Sequence, residues 1–255
     1  MIHPTAIIHA NARIGTNCDI GPYCVIGEHV TLGDGCQLHS HVVIDGHTRL
    51  GKENEVFPFA SIGLRTQDLK WKGGATRTEI GDRNSIREGV TIHSATSEGG
   101  VTTIGSQNLL LIQVHVAHDC VLGDQIIMSG YSGLAGHVVV EDQAVFGGYT
   151  AVHQFCRIGR LAMTGGCSKV VQDVPPFMMA DGNPAETRTI NKVGMERNGI
   201  SEEAQSAMKL CYKILFREGL TISNAVAKIE KEVATLPEVL HLVNFVRTSE
   251  RGISK

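Results

Sequence analysis

An aliphatic residue recurs at every sixth position along most of the chain. From Ile8 the series runs Ile14, Ile20, Ile26, Leu32, Leu38, Ile44, Leu50, Val56 and Ile62 without a miss. Ile, Leu and Val make up about a quarter of the residues, so chance would give such a run about once in a million. The beat lapses at Asp68 and Gly74, then resumes in the same frame at Ile80, Ile86 and Ile92. It lapses again at Glu98 and runs unbroken from Ile104 to Ile158. Two excursions, about 64–79 and 93–103, therefore leave a regular structure and rejoin it in register. Both are polar and Gly-rich, and the first carries the single tryptophan, Trp71. Loops extruded from a rigid scaffold are common sites of ligand contact.

A period of six fits neither a helix at 3.6 nor a lone strand at 2.0. It fits short strands joined by tight turns, with one large inward residue per side. The position four residues after each beat supports this: Cys18, Cys24, Val30, Cys36, Val42, Ala60, Cys120 and Cys156 are small or β-branched. Such residues suit a second inward site crowded near a corner. Three sides close a triangular coil of about 18 residues, and coils stack about 4.8 Å apart. The prediction is an all-β parallel β-helix built on a hexapeptide repeat. The beat alone does not set its hand.

The beat ends near Val170. Asp173-Val174-Pro175-Pro176 interrupts any helix or ladder, and Asp181-Gly182-Asn183-Pro184 marks a further turn. From about residue 190 the pattern becomes helical. Ser201 followed by Glu202 and Glu203 predicts a cap and acidic first turn for a helix over 204–218, closed by Gly219. Stretches 221–236 and 237–248 predict two more, the last opened by Pro237. The expected organisation is a β-helix over 1–189 and a small α-helical domain over 190–255, which would cover the open edge of the last coil.

Composition narrows the function. The net charge of −3 over 255 residues gives no polycation for nucleic acid. No run of about 18 apolar residues predicts a membrane span. The N-terminus lacks the charged-then-apolar pattern of a signal peptide. Seven cysteines, an odd number without a CxxC pair, suggest free thiols and a cytoplasmic location.

The candidate chemistry lies in Val114-His115-Val116-Ala117-His118-Asp119-Cys120. Adding 18 to His118 gives Gly136, with His137 beside it; His153 falls one coil further and one column back. His118, His137 and His153 should therefore line one edge of successive coils, within about 10 Å along the axis. Gly136 would offer a backbone N–H unobstructed by a side chain. A base beside such a donor is the minimum needed to deprotonate a hydroxyl and hold an oxyanion. Solvated surface residues are the bland alternative, since the chain has twelve histidines and His9, His29, His39, His41 and His47 have no evident partner. A zinc site drawn from His115, His118 or His137, as in β-helix hydratases, is the chemical rival. Asp119 is a candidate orienter of His118, disfavoured because strand neighbours face opposite ways. Cys120 shares the inward phase of Cys18, Cys24, Cys36 and Cys156, so it reads as core filler. Gln67 and Asp68 on the first excursion could hold a polar ligand or be solvated. Arg197 could meet a phosphate or only solvent.

The chain resembles the bacterial UDP-N-acetylglucosamine O-acyltransferases of lipid A biosynthesis. The likeness rests on Gln67-Asp68-Leu69-Lys70, Val116-Ala117-His118-Asp119-Cys120, Leu134-Ala135-Gly136-His137-Val138 and Thr150-Ala151-Val152-His153-Gln154-Phe155. Gln172-Asp173-Val174-Pro175-Pro176 and Ala180-Asp181-Gly182-Asn183-Pro184-Ala185 extend it. The resemblance implies a left-handed coil and a homotrimer with sites between subunits. It implies transfer of an (R)-3-hydroxyacyl chain from acyl carrier protein to the sugar 3-hydroxyl, with no cofactor and no metal. On the matching positions, His118 is the general base and Gly136 the oxyanion donor. Asp68 and Gln67 contact the sugar and the acyl hydroxyl; His115, His137, His153 and Gln154 surround the sugar and phosphates. Asn191 and Arg197 face the nucleotide, and Gly166 limits acyl length. Arginines and lysines near the acyl entry would meet the acidic carrier protein. The chain departs from the family pattern at Leu64, Ser94, Ala95, Val193 and Asn198. These departures bear on the nucleotide sugar preferred, and a 3-amino sugar is the runner-up acceptor.

Overall fold

The structure, a computed structural model, describes residues 1–255. Two-residue strands alternate with tight corners from Ile7–Ile8 to Lys169–Val170. They stack into three parallel faces of a triangular prism, of nine, eight and eight strands, the third extended to ten by a C-terminal hairpin. The coil is left-handed. Ile8 pairs with Ile26, Ile14 with Leu32 and Ile20 with Leu38, so each strand bonds to the one 18 residues on. Thirty-seven buried residues form the inner core, and the six-residue beat supplies its large members. The corners carry a conformational cost. Their second residue often takes positive φ without being glycine, as at Asn17, Tyr23, Asp119, His137 and Phe155.

The inward position near the corners is less uniform than expected. Cys18, Cys24, Cys36, Cys120 and Cys156 do fill it, buried and unpaired. Burial pushes the Cys120 thiol up to about 12 and that of Cys156 to about 11, so both are inert fillers. In mid-prism the same column instead holds Asn54, Asn84 and Asn108, all buried. Asn84 Nδ2 donates to Asn54 Oδ1 at 2.9 Å and to the Gly105 carbonyl at 3.0 Å. Its own Oδ1 accepts the Asn108 N–H at 2.9 Å, and Asn108 Oδ1 accepts the Ile126 N–H at 2.7 Å. This ladder satisfies buried backbone groups that an apolar side chain would leave bare.

The two excursions begin and end inside the predicted bounds. Strands Ser61–Leu64 and Arg77–Ile80 flank the first, leaving 65–76 as loop. Strands Thr91–His93 and Val101–Ile104 flank the second, leaving 94–100. Backbone ladders extend into both predicted excursions because Arg77–Ile80 pairs residue for residue with Val101–Ile104. Ser61 pairs with Thr91, 30 residues on, and Thr91 with His115, 24 on. The extra residues leave the prism at one corner, from adjacent coils, and the register is unharmed.

The C-terminal part differs from expectation in two ways. An antiparallel hairpin, Met178–Gly182 with Ala185–Ile190, extends the ten-stranded sheet. A strand, and not only helices, therefore covers the last coil's edge. A short helix α1, Lys192–Arg197, also precedes the three predicted ones. These are α2 (Glu202–Phe216), α3 (Ile222–Glu232) and α4 (Pro237–Arg247). Ser201 caps α2 through the Ala204 N–H. The helical core is shared with the prism, since Leu161, Phe177 and Met178 belong to it. No helix is long and apolar enough to cross a membrane.

The asparagine ladder makes a stability prediction. Asn84→Ala strips partners from Asn54, Asn108 and Gly105 at once, and leaving such groups buried and unpaired should cost about 2–4 kcal/mol. Urea unfolding monitored by circular dichroism measures this; an unchanged midpoint would show that the ladder is dispensable.

Candidate active site

The corner from which both excursions emerge also carries His118. Strand His115–Val116 ends just before it, and His118 and Asp119 form the turn. The next coil repeats that turn with Gly136 and His137, and the one after with Gln154 and Phe155. The His137 N–H donates to the His118 carbonyl at 3.1 Å, which locks the coils one above the other. Gly136 lies directly over the imidazole. A Cβ there would stand 2.5 Å from His118 Nε2, so only glycine leaves room for the ring. The buried Gly136 N–H donates to no protein acceptor.

Asp119 is the principal correction. Strand alternation predicted that it would face away from His118, yet its Oδ2 lies 2.8 Å from His118 Nδ1. The two residues are in a corner and not a strand, and φ of 59° at Asp119 turns its side chain back. The same Oδ2 accepts the Thr96 N–H at 3.1 Å, while the Asp119 N–H donates to Thr102 Oγ1 at 2.8 Å. A carboxylate oxygen accepts, so His118 Nδ1 carries the proton and Nε2 presents a lone pair.

Asp68 faces that lone pair from the first excursion of the same chain, its Oδ2 at 3.9 Å from Nε2. A neighbouring subunit is therefore not needed to bring this loop to His118. The Lys70 N–H donated to its carboxylate, with the nearby charges of His118 and Lys70, holds Asp68 below the ordinary carboxylate range. His137 packs edge-on to His118 with ring centres 5.2 Å apart and stacks flat on Phe155 at 4.6 Å. Beside these rings opens a polar cleft of about 720 Å³. Asp68, Lys70, Lys72, Thr96, Glu98 and His137 line it, with no hydrophobic side chain.

His118, Asp119 and His137 place one ligating atom each within 4.8 Å of one another, the nearest approach to a metal site. The fit is poor. The Asp119 oxygen that would coordinate already takes two N–H donors, and a cation would displace both.

The remaining sequence candidates divide. His115 points outward beside the site, its Nδ1 2.7 Å from Thr91 Oγ1 and its ring edge-on to His93. Gln67, His153 and Gln154 are exposed on or near the same corner, free to meet a ligand. Asn191 is buried as the cap of α1, accepting from the Gly194 N–H and donating to the Leu161 carbonyl at 2.9 Å. Its amide is committed to the fold. Arg197 is exposed at the end of α1 and touches none of the His118 group. Gly166 is at a different corner of the prism, stacked over Gly148. Sequence reasoning missed Thr66, Thr91, Thr96 and Thr102. For Thr102, a polar residue at an inward phase was a usable signal, and for Thr91 its stacking beneath His115; Thr66 and Thr96 stand outside any repeat.

Residues 173–254 match the second domain of the UDP N-acetylglucosamine O-acyltransferase family. LpxA from Acinetobacter baumannii is 46% identical over 100% of this chain and 99% of that one, with a TM-score of 0.97. LpxA of Bacteroides fragilis, a UDP-N-acetylglucosamine acyltransferase, is 39% identical over 100% of both chains, with a TM-score of 0.98. The Moraxella catarrhalis UDP-N-acetylglucosamine O-acyltransferase is 44% identical over 100% of this chain and 99% of that one, with a TM-score of 0.96.

His115 supplies a test of the site's electrostatics. Burial first, then the charges of His93 and His118, lower its affinity for a proton below that of a free imidazole at 6.5. Its contribution to stability is full above about pH 6.5 and is lost as the pH falls through that value towards its folded midpoint. An NMR titration should place the His115 midpoint below that of a free imidazole; a midpoint at or above it would contradict the burial argument.

Proposed function

This chain belongs to the UDP-N-acetylglucosamine O-acyltransferase family, and from that premise we propose how its site performs the transfer. The observation that carries the reading is the pairing of a free Gly136 N–H with an oriented His118 imidazole at one polar cleft. The acceptor is the glucosamine 3-hydroxyl of UDP-N-acetylglucosamine. The donor is an (R)-3-hydroxyacyl thioester on acyl carrier protein, and the product enters lipid A biosynthesis.

His118 Nε2 takes the proton of the 3-hydroxyl as its oxygen bonds to the thioester carbonyl carbon. The tetrahedral oxyanion accepts from the Gly136 N–H. Asp119 stabilises the imidazolium that forms and keeps Nδ1 protonated. Collapse breaks the C–S bond, and the carrier thiolate leaves with the proton held by His118. No acyl-enzyme forms, because the inert, buried Cys120 is the one thiol beside His118. No metal is required, since the acid–base work is done by the imidazole and the charge stabilisation by an amide.

Around this centre, Asp68 and Gln67 hold the sugar and the acyl hydroxyl, and His115, His137, His153 and Gln154 bracket the sugar and phosphates. Arg197 and Gly166 lie away from His118 in one chain, so their roles in nucleotide binding and acyl length require a second subunit. The exposed apolar side chains along the prism, including Tyr131 at 50% and Tyr149 at 62%, fit burial in a homotrimer. The cytoplasm, where acyl carrier protein is found, is the compartment this reaction requires.

His118→Ala should lower turnover by about 10²–10⁴ while the oligomer and the unfolding midpoint persist. Gly136→Ala should be about as severe, because its methyl group displaces the ring and crowds the oxyanion donor. Purified protein assayed with carriers of several hydroxyacyl lengths and with both UDP-N-acetylglucosamine and its 3-amino analogue decides donor and acceptor. Exclusive use of the amine would move the acceptor to the 3-amino sugar, and substantial activity in His118→Ala would remove the base.

A further inference from the structure

The two excursion loops are joined by a buried contact. Thr66 in the first loop and Thr96 in the second are 5% and 9% exposed, and their hydroxyl oxygens lie 2.9 Å apart. Thirty residues separate them in sequence, but the loops leave adjacent coils, where Leu64 pairs with His93. Each threonine also bonds to one of the two aspartates that flank the base, Thr66 at the Asp68 backbone and Thr96 at the Asp119 carboxylate. Thr66 Oγ1 accepts the Asp68 N–H at 3.1 Å, two residues along the loop. The Thr96 N–H donates to Asp119 Oδ2 at 3.1 Å, on the oxygen that meets His118 Nδ1. A continuous path therefore runs from Asp68 through Thr66, Thr96 and Asp119 to His118. It starts and ends at the same imidazole, since Asp68 faces Nε2 and Asp119 faces Nδ1.

The geometry assigns Thr66 and Thr96 as positioning residues, a hydroxyl clasp that sets the two carboxylates on opposite nitrogens of His118. This rests on the transfer reaction proposed above. The loops are also tied where they join the prism, by Thr76 Oγ1 donating to Ser94 Oγ at 3.1 Å and the Gly99 N–H donating to the Ala75 carbonyl at 2.9 Å, so the clasp governs the end beside His118. Loop 65–76 has exposed Gln67, Leu69, Lys70 and Lys72, and loop 94–100 has exposed Ser97, Glu98 and Gly99. A hydrogen bond between their buried bases removes the relative freedom of the two loops at that end, which is the freedom that would blur the Asp68–His118–Asp119 alignment. Thr96 borders the cleft, but it is 9% exposed and its hydroxyl is taken up by Thr66 Oγ1. A buried hydroxyl pair is also sensitive to the loss of one partner, because the other is left unsatisfied. Asp119 gains a second anchor from its N–H bond to Thr102, at the return of the same loop. The clasp thus acts through Asp119 on one side and through the loop carrying Asp68 on the other.

The test uses the full chain and the near-isosteric variants Thr66→Val, Thr96→Val and the double variant, with Thr66→Ser and Thr96→Ser as controls. A positioning clasp predicts that each valine variant lowers kcat about tenfold with KM unchanged. It predicts that the double variant is no worse than either single one, because the two side chains make one bond. Serine should restore kcat. Hydrogen exchange should show loop 94–100 opening faster in Thr66→Val, and loop 65–76 faster in Thr96→Val. Wild-type kcat in the valine variants, multiplicative losses in the double, or failure of serine to rescue would overturn the assignment. If the wild-type protein shows no acyl transfer, the proposed reaction falls, and the clasp is then decided by exchange alone. Exchange confined to the mutated loop would overturn it, and exchange crossing to the other loop would sustain it.

Discussion

Everything in this molecule depends on the backbone register between successive coils. Away from the two excursions each strand bonds to the one 18 residues on, so a position there is fixed in height and in face by its number alone. The constraint survives insertions because extra residues leave at a corner and return to the same ladder, as the pairs Ser61 with Thr91 and Thr91 with His115 show. The prism can therefore carry loops of different length on one edge without moving the base that works beside them.

That edge derives its chemistry from being a corner. Within a strand, neighbours face apart, and His118 and Asp119 could not have met. In a corner the second residue takes positive φ, and the pair closes into a hydrogen bond. The same geometry leaves the first corner residue of the next coil, Gly136, with an unpaired N–H above the imidazole. The His118 imidazole, its Asp119 partner and the free Gly136 N–H are thus three consequences of two stacked turns. The excursions add Asp68 and the polar cleft, and a pair of buried threonines keeps the two loops in step.

Most polar groups inside the prism take up a backbone or side-chain partner that the coil would otherwise strand; the Thr78 hydroxyl is the exception. Asn54, Asn84 and Asn108 do so along one column, and Thr102 does so for Asp119. The cysteines in equivalent positions donate weakly to carbonyls and otherwise fill space, as Cys120 does to Ala135. Stability and site alignment therefore draw on the same inward positions.

The sequence by itself determined the coil, its register and the placement of Gly136 over His118, because a strict six-residue period maps number onto space with no further information. It also marked the excursions, the helical tail and, through family resemblance, the reaction. Tertiary structure alone decided that Asp119 turns back to His118, that Asn191 is consumed as a helix cap, and that a hairpin covers the last coil. It alone joined Thr66 to Thr96. Those outcomes depend on backbone dihedrals at corners and on contacts between loops that leave the repeat, and neither is encoded in periodicity. A repeat specifies where residues stack; it says nothing of how a side chain turns once the chain departs from the strand.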